Sequence, residues 1–262
     1  MIFVLLEVKD LNISLTSEKS VAEHISFRLG QGEMLSIVGS SGAGKTTICK
    51  AIMGLLGNAY RADGEILFQG EDLLDLPERK RQTIYGKEIC LIMQNPMTAF
   101  NPSIRVGRQM EKTYLLHHGK TPRQEMQRLF AAILQKLGLE DTQRILNSYP
   151  FTLSGGMLQR LMIAAALMCQ PALLVADEAT TAIDACNRIG LMRELKSFCK
   201  DGMSVLFVTH DLRSASASDR ILVMDRGQIV EQGKTEQILN TPKEDYTKYL
   251  LNACRLERRE MS

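Results

Sequence analysis

The sequence has no long uninterrupted hydrophobic segment. Its longest apolar run extends from Leu161 to Cys169, whereas a helix that crosses a lipid bilayer needs roughly 20 such residues. The apolar start, Met1 to Leu6, has no basic residue before it and meets the acidic Glu7 at once. It therefore predicts an edge strand rather than a signal peptide, and we expect a chain without spanning helices or an export signal.

The sequence also lacks a dominant charge and lacks paired cysteines. The net charge is only +2, and lysine and arginine are spread along the chain, so nothing indicates nucleic-acid binding. The six cysteines form no CxxC pair, and without an export signal they are expected to be reduced thiols. They are Cys49, Cys90, Cys169, Cys186, Cys199 and Cys254.

Composition and periodicity predict one α/β domain. The 262 residues are 45% hydrophobic and 24% charged, a balance typical of globular proteins. Short apolar runs alternate with helical stretches near both ends, which predicts a largely parallel sheet, and the loosely alternating start predicts further β-structure. The predicted strands are 5–15, 25–29, 34–38, 66–69, 89–93, 173–176, 205–208, 221–225 and 228–231. The predicted helices that alternate with these strands are 45–53, 155–169 and 185–200.

The middle of the chain has a different pattern. From about 106 to 146 the apolar residues recur at helical spacing, with Pro122 and Gly138 as interruptions. We interpret this stretch as a helical subdomain inserted into the α/β core. The single domain, 1–262, is then divided into a core of 1–95 and 155–240, a helical subdomain of 96–154 and a short C-terminal extension of 241–262.

A glycine-rich loop between a predicted strand and a predicted helix fits the phosphate-binding pattern G-x-x-x-x-G-K-[ST]. Glycines allow backbone N–H groups to curl around anionic oxygens, and the helix that follows directs its positive end at them. Lys45 is expected to reach the β- and γ-phosphates of a nucleotide, and the Thr46 hydroxyl to bind Mg²⁺. The loop consists of Gly39, Ser40, Ser41, Gly42, Ala43, Gly44, Lys45 and Thr46.

Two carboxylates end the apolar strand that begins at Leu173. In a parallel sheet, ligands gather at the carboxyl ends of the strands. Asp177 is placed to hold Mg²⁺, and Glu178 to activate the water that attacks the γ-phosphate. An apolar run ending in Asp-Glu is often only a strand entering a solvated turn. Downstream of a phosphate loop it indicates hydrolysis.

The segment Leu153–Arg160, with the sequence LSGGMLQR, resembles the signature motif of the ABC ATPase family. Ser154 is expected to cap a helix, and Gly155 and Gly156 to leave the N–H groups of its first turn open to an anion. In that family these residues contact the γ-phosphate held by the opposite subunit. The resemblance therefore implies two ATP molecules sandwiched between two such domains, in a P-loop fold with an antiparallel β subdomain.

Further segments match the same family in order, and the resemblance covers about residues 6 to 240. Gln94 resembles the glutamine that senses Mg²⁺ and the attacking water. Residues 181–184 resemble the D-loop that crosses the dimer interface, with Asp184 near the nucleotide. His210 resembles the switch histidine that contacts the γ-phosphate.

The resemblance implies both a reaction and an assembly. Glu178, His210 and Gln94 would be catalytic, and Thr46, Gln94 and Asp177 would hold the Mg²⁺ of MgATP. The expected partners are two transmembrane permease subunits, a second ATPase subunit and, indirectly, an external solute-binding protein. We expect the chain to work on the cytoplasmic face of the membrane, attached through the permease.

The cargo is indicated by two segments and by the chain end. Residues 92–102 look like the corresponding region of the peptide/nickel importer class, and 148–160 look most like its nickel and metallophore branch. Peptide-importing members usually continue well past 246–251, whereas this sequence stops at Ser262. These features favour import of nickel or a related metal–chelator complex. Import of di- or oligopeptides, and a regulatory role outside transport, stay open.

Three residues depart from the family pattern. Leu15 occupies the position of an aromatic residue that stacks on adenine, and leucine cannot supply that stacking. Ala179 stands where a proline usually follows the catalytic glutamate, which loosens a turn but removes no catalytic group. Ile183 replaces the usual leucine of the D-loop, a volume-conserving change.

Overall fold

The computed structural model describes residues 3–179 and 185–260, and of 185–187 and 255–260 the backbone alone. Within these residues ten strands and ten α-helices are found. The strands are β1 Val4–Leu15, β2 Ser20–Gly30, β3 Met34–Gly39, β4 Tyr60–Phe68, β5 Glu71–Asp72, β6 Ile89–Ile92, β7 Leu173–Asp177, β8 Ser204–Thr209, β9 Arg220–Asp225 and β10 Gln228–Lys234. The helices are α1 Lys45–Ile52, α2 Glu78–Ile84, α3 Pro96–Ala99, α4 Val106–His118, α5 Arg123–Lys136, α6 Thr142–Asn147, α7 Gly155–Met168, α8 Ala185–Cys199, α9 Thr235–Asn240 and α10 Asp245–Glu260.

Two sheets form the β-structure. The larger has the order β10-β9-β3-β8-β7-β6 and is parallel except for β10, which pairs antiparallel with β9. All six residues of β3 and of β8 are buried, as expected of strands covered on both faces. The smaller sheet, β2-β1-β4-β5, is antiparallel. The predicted α/β class with an additional antiparallel sheet is confirmed.

The hydrophobic core is divided between the faces of the large sheet. One cluster of buried side chains lies between the sheet and α4, α5, α7 and α8. A second lies between the two sheets and around α1. A third, smaller cluster joins β9 to α9 and α10. The phosphate loop therefore starts from a strand that is packed on both sides.

Of the residues that the structure describes, none belongs to a helix both long and apolar enough to cross a bilayer.

Several predicted elements need correction. The start of the chain was expected to be an edge strand, but β1 lies inside its sheet between β2 and β4. The strand predicted over 66–69 begins already at Tyr60, because Gly64, at φ 109°, lets the polar first half of β4 pair closely with β1. A Cβ on Gly64 would lie 2.5 Å from the carbonyl oxygen of Asp10. The strand before Gln94 ends at Ile92, which leaves Met93 half exposed.

The predicted helical stretch is divided into separate helices. Turns at Gly119 and Gly138, both with positive φ, separate α4, α5 and α6. The polar helix α2 was missed because it has no buried residue and hence no apolar periodicity. The stretch 241–262 was predicted only as a short extension, and the structure places the sixteen-residue helix α10 within it. The boundaries proposed for the helical subdomain, 96–154, stay a prediction.

Candidate nucleotide-binding and hydrolysis site

The candidate site lies where four neighbouring strands end. β3, β8, β7 and β6 are side by side and parallel in the large sheet. The glycine-rich loop follows β3, and Asp177 is the last residue of β7. His210 comes directly after β8, and Gln94 two residues after β6. The topology thus brings residues from distant parts of the sequence to one edge of the sheet.

Two glycines of the loop are required by close backbone contacts. A Cβ on Gly39 would lie 2.2 Å from the carbonyl oxygen of Met224. Gly44 has φ 94°, and a Cβ there would lie 2.7 Å from the carbonyl oxygen of Val21. Real side chains do not fit at such distances, so the loop can pack between β9 and β2 only with glycine at both positions. The curve that results ends at the first turn of α1, as a phosphate-binding loop requires.

Lys45 is folded into the loop that precedes it. It is 4% exposed, and its Nζ donates to the carbonyl oxygens of Gly39, at 2.9 Å, and Ser40, at 2.7 Å. Burial lowers the pKa of the Lys45 ammonium, while the charges of Glu178 and Asp177 act to raise it. The buried ammonium therefore feels the negative charge of both carboxylates, and phosphate oxygens bound at the loop would add further compensating charge.

Thr46 and Asp177 meet at the loop end of the site. The Thr46 hydroxyl donates to Oδ1 of Asp177 at 3.1 Å. Burial raises the pKa of the Asp177 carboxyl, and the hydrogen bond from Thr46 opposes that shift. Hydroxyl and carboxylate oxygens are the ligands that Mg²⁺ takes in phosphate-binding sites. This pair, fixed by α1 and β7, therefore fits the Mg²⁺ of a bound nucleotide.

An Asp177→Asn variant is expected to be more stable than the wild type without ligand, although it loses hydrolysis. Because burial raises the pKa of Asp177, ionising it costs folding free energy above that pKa, and the cost vanishes once the carboxyl is protonated. Asparagine keeps an acceptor for Thr46 without the charge. Thermal unfolding should show a melting temperature a few degrees higher at pH 8 and no difference at about pH 3.

The exposed Asp75 offers the matched control for that variant. Asp75→Asn makes the same chemical change without a buried carboxyl, so its melting temperature should follow the wild type at both pH values. A lower melting temperature of Asp177→Asn at pH 8 would show that the Asp177 carboxylate stabilises the ligand-free fold, contrary to this prediction.

Glu178 is in contact with both other residues predicted to be catalytic. Gln94 Nε2 donates to Oε2 of Glu178 at 2.9 Å, and His210 Nδ1 lies 3.3 Å from Oε1. The backbone of Glu178 has φ 48°, a conformation rare outside glycine and often found at functional sites. Its N–H donates to the carbonyl oxygen of Val208 at 2.9 Å. Both oxygens of the Glu178 carboxylate are thus oriented from neighbouring strands.

The signature residues lie at the start of α7. Ser154 caps this helix, since its Oγ accepts the N–H of Met157 at 3.3 Å. Gly155 and Gly156 form the first turn, as predicted. This hydrogen bond joins Ser154 to a residue of the same helix and not to the phosphate loop. Asp184 and the rest of 180–184 lie outside the described residues.

The turn after His210 is held by a residue that sequence reasoning gave no role. Oδ2 of Asp211 accepts from Arg188 Nη1 at 3.1 Å and from the Ser214 hydroxyl at 2.9 Å, and its Oδ1 accepts the N–H of Arg213 at 2.9 Å. The last bond is the local turn that Asp favours two residues ahead, so a signal was present in the sequence. Asp211 thereby fixes the backbone that positions His210.

The two departures from the family pattern that the structure describes leave the contacts of Glu178 with Gln94 and His210 intact. Leu15, at the end of β1, is half-buried and lies opposite Tyr60 of β4. Ala179 is fully buried beside Glu178. Ile183 lies outside the described residues. Neither described departure removes a polar group from the surroundings of Glu178.

Comparison with known proteins agrees with this geometry. Residues 22–181 match the family model described as ABC transporter. The chain is 41% identical over 251 residues to the metal-staphylopine import system ATP-binding protein CntD of Staphylococcus aureus, which covers 95% of this chain and 92% of that protein. It is 40% identical over 255 residues to the dipeptide transport ATP-binding protein DppD of Haemophilus influenzae, over 95% of this chain and 77% of the relative.

A solved structure extends the likeness to three dimensions. The ATP-binding cassette MJ0796, solved as a dimer in a post-hydrolysis state with ADP and Pi, superposes with a TM-score of 0.78 at 26% identity. The match covers 88% of this chain and 99% of that one. With the phosphate loop, the paired carboxylates and the signature helix in place, the chain belongs to the ABC transporter family and is one of its ATPases.

Proposed function

We propose that the chain is the ATP-hydrolysing subunit of an ABC importer, working at the cytoplasmic face of a membrane. The observation that carries the proposal is the cluster of Gln94, Glu178 and His210 beside the Thr46–Asp177 pair. In this proposal Glu178 would act as the base, Gln94 and His210 would orient it, and the oxygens of Thr46 and Asp177 would bind Mg²⁺ at the same sheet edge. The relatives named above belong to import and transport systems, which supports the transport role.

Each residue of the candidate site would have a separate role in ATP hydrolysis. Lys45 and the loop N–H groups would hold the phosphates of ATP. Thr46, Asp177 and Gln94 would hold Mg²⁺, which supplies compensation for negative charge on the phosphates. Glu178 would accept a proton from the attacking water. His210 would orient Glu178 and contact the γ-phosphate.

The signature residues imply that hydrolysis needs a second ATPase subunit. Ser154, Gly155 and Gly156, with Asp184 nearby, would complete the nucleotide site of the partner chain, and the dimeric state of MJ0796 supports this. Closure of the two subunits would move the helical subdomain and, through the segment after Gln94, two permease subunits. An external solute-binding protein would deliver the cargo to them without touching this chain. Loss of the γ-phosphate would reopen the dimer.

We propose nickel, or a related transition metal bound to an organic chelator, as the cargo. Support comes from the segments 92–102 and 148–160 and from the likeness to an ATPase named for metal-staphylopine import. Peptides are the second candidate, because a dipeptide transport ATPase is almost equally similar.

Uptake in cells carrying either the wild type or Glu178→Gln would test the cargo. We expect the variant to abolish accumulation of nickel or of its chelator complex while uptake of labelled di- and tripeptides continues, because only the energised transporter is stopped. Loss of peptide uptake alone would move the cargo to peptides. Unchanged uptake of both would contradict the metal proposal and favour a role outside transport.

A further inference from the structure

The C-terminal helix contacts the phosphate loop directly. The Tyr246 hydroxyl, on the first turn of α10, accepts the backbone N–H of Ser40 at 3.0 Å. Ser40 follows Gly39 at the entrance of the loop, and its own carbonyl oxygen accepts from Lys45 Nζ at 2.7 Å. The Ser40 backbone is therefore fixed on one side by the loop lysine and on the other by a residue more than two hundred positions away in the sequence.

The start of α10 is anchored independently of that contact. The carboxylate of Glu231, on β10, accepts the N–H groups of Lys243 at 2.9 Å and Glu244 at 3.2 Å. These bonds satisfy backbone donors just ahead of the helix. The direction in which α10 leaves the sheet is thus set before Tyr246 is reached.

The body of α10 packs beside the turn that follows His210. Tyr246 and Leu250 pack against the third core cluster, to which buried Leu212 belongs. The guanidinium of Arg213 donates to the carbonyl oxygen of Cys254. One helix thereby contacts the phosphate loop and the segment that carries the predicted switch histidine, which are the two sides of the candidate site.

We propose that Tyr246 is a positioning residue for ATP: its hydroxyl holds Ser40 so that the phosphate loop is already curved for the phosphates. The inference rests on the proposed role of that loop in binding ATP. The hydrogen bond acts at the loop entrance and does not touch the reacting atoms. It contributes to nucleotide affinity by reducing the freedom that the loop must lose on binding.

If the docking of α10 strengthens ATP binding, then ATP binding must strengthen the docking of α10, since coupling between two sites is reciprocal. ATP in the loop should therefore strengthen the docking of α10. In a separated or loosened state of α10, the loop would bind nucleotide less tightly. This makes the C-terminal helix a part of the nucleotide site, although it contributes no residue to the family motifs.

Tyr246→Phe tests the hydroxyl alone, because the phenyl ring keeps its packing against the third core cluster. We expect the Kd and KM for ATP to rise about three- to tenfold, the loss typical of one hydrogen bond. The kcat should stay within about twofold, and the melting temperature should not change. Tyr249→Phe is the matched control, since that ring is 67% exposed on the same helix and its variant should behave as wild type.

The Kd for ATP and the melting temperature together distinguish a positioning role of Tyr246 from a purely structural one. A structural role would lower the melting temperature and the active fraction, and hence kcat, at unchanged Kd; that outcome would overturn the proposal. Lys45→Ala serves as the reference for the loop itself. If neither Tyr246→Phe nor Lys45→Ala changed the Kd, the result would contradict the assumed nucleotide site and not the role of Tyr246 alone.

Hydrogen exchange in the wild-type protein provides a test without substitution. We expect MgATP to slow amide exchange in residues 246–254 several-fold and Tyr246→Phe to remove most of that protection. Exchange in 246–254 that is the same with and without MgATP, under conditions where the phosphate loop becomes protected, would overturn the coupling.

Discussion

A Glu178→Gln variant is expected to hydrolyse ATP at least about 100-fold more slowly than the wild type, the usual contribution of a general base. An amide cannot take the proton of the attacking water at neutral pH, so the chemical step loses its acceptor. ATP binding should persist, because Lys45 and the loop are unchanged. With hydrolysis blocked, the variant should accumulate as an ATP-bound dimer.

The geometry indicates that this loss is chemical and not structural. Glutamine has the shape of glutamate and keeps an oxygen for the amide of Gln94, which donates to Glu178 at 2.9 Å. The positive φ of 48° at this position costs glutamine no more conformational free energy than glutamate. The variant should therefore unfold at nearly the temperature of the wild type.

Phosphate release and size-exclusion chromatography with ATP measure the two expected effects. Glu140→Gln, at an exposed position before α6, removes the same charge away from the site and should leave both measurements unchanged. Turnover of Glu178→Gln within tenfold of the wild type would show that another group accepts the proton. A monomer in the presence of ATP would contradict the trapped dimer.

The residues of the candidate site could be proposed from the sequence because each belongs to a local pattern. Gly39, Gly44 and Lys45 lie within one loop, and Asp177 and Glu178 close one apolar strand. A parallel sheet then brings strand ends together without any further information from the sequence. The contacts of Glu178 with Gln94 and His210 follow from that topology and from the neighbouring positions of β6, β7 and β8.

The features that were missed depend on tertiary contacts. The early start of β4 at Tyr60 needs the close approach of Gly64 to β1, which no local pattern encodes. The helix α10 is polar on average, and its contact with Ser40 joins positions 40 and 246. A hydroxyl that meets a backbone N–H across the fold has no sequence signal. Long-range hydrogen bonds of this kind therefore limit what motif reading can find.

Lys45→Ala is expected to weaken ATP binding by at least about 100-fold. Hydrogen bonds to charged groups contribute about 1.5–3 kcal/mol each, and the ammonium is placed to form more than one with phosphate oxygens. Lys45 is 4% exposed and bonded to the carbonyl oxygens of Gly39 and Ser40. Alanine leaves those oxygens without their donor, so the loop also loses part of its fixed shape.

Titration with a fluorescent ATP analogue would measure the change in Kd, and circular dichroism would verify the fold. Lys50→Ala is the matched control, because it removes the same group from the exposed side of α1 one turn further on. Its Kd should stay within about twofold, since an exposed charge is screened by solvent. A Kd of Lys45→Ala within threefold of the wild type would contradict this prediction. If the Kd of Tyr246→Phe is raised in the same experiment, the loop N–H groups bind the phosphates without the lysine; if it is unchanged as well, the nucleotide does not bind at this loop.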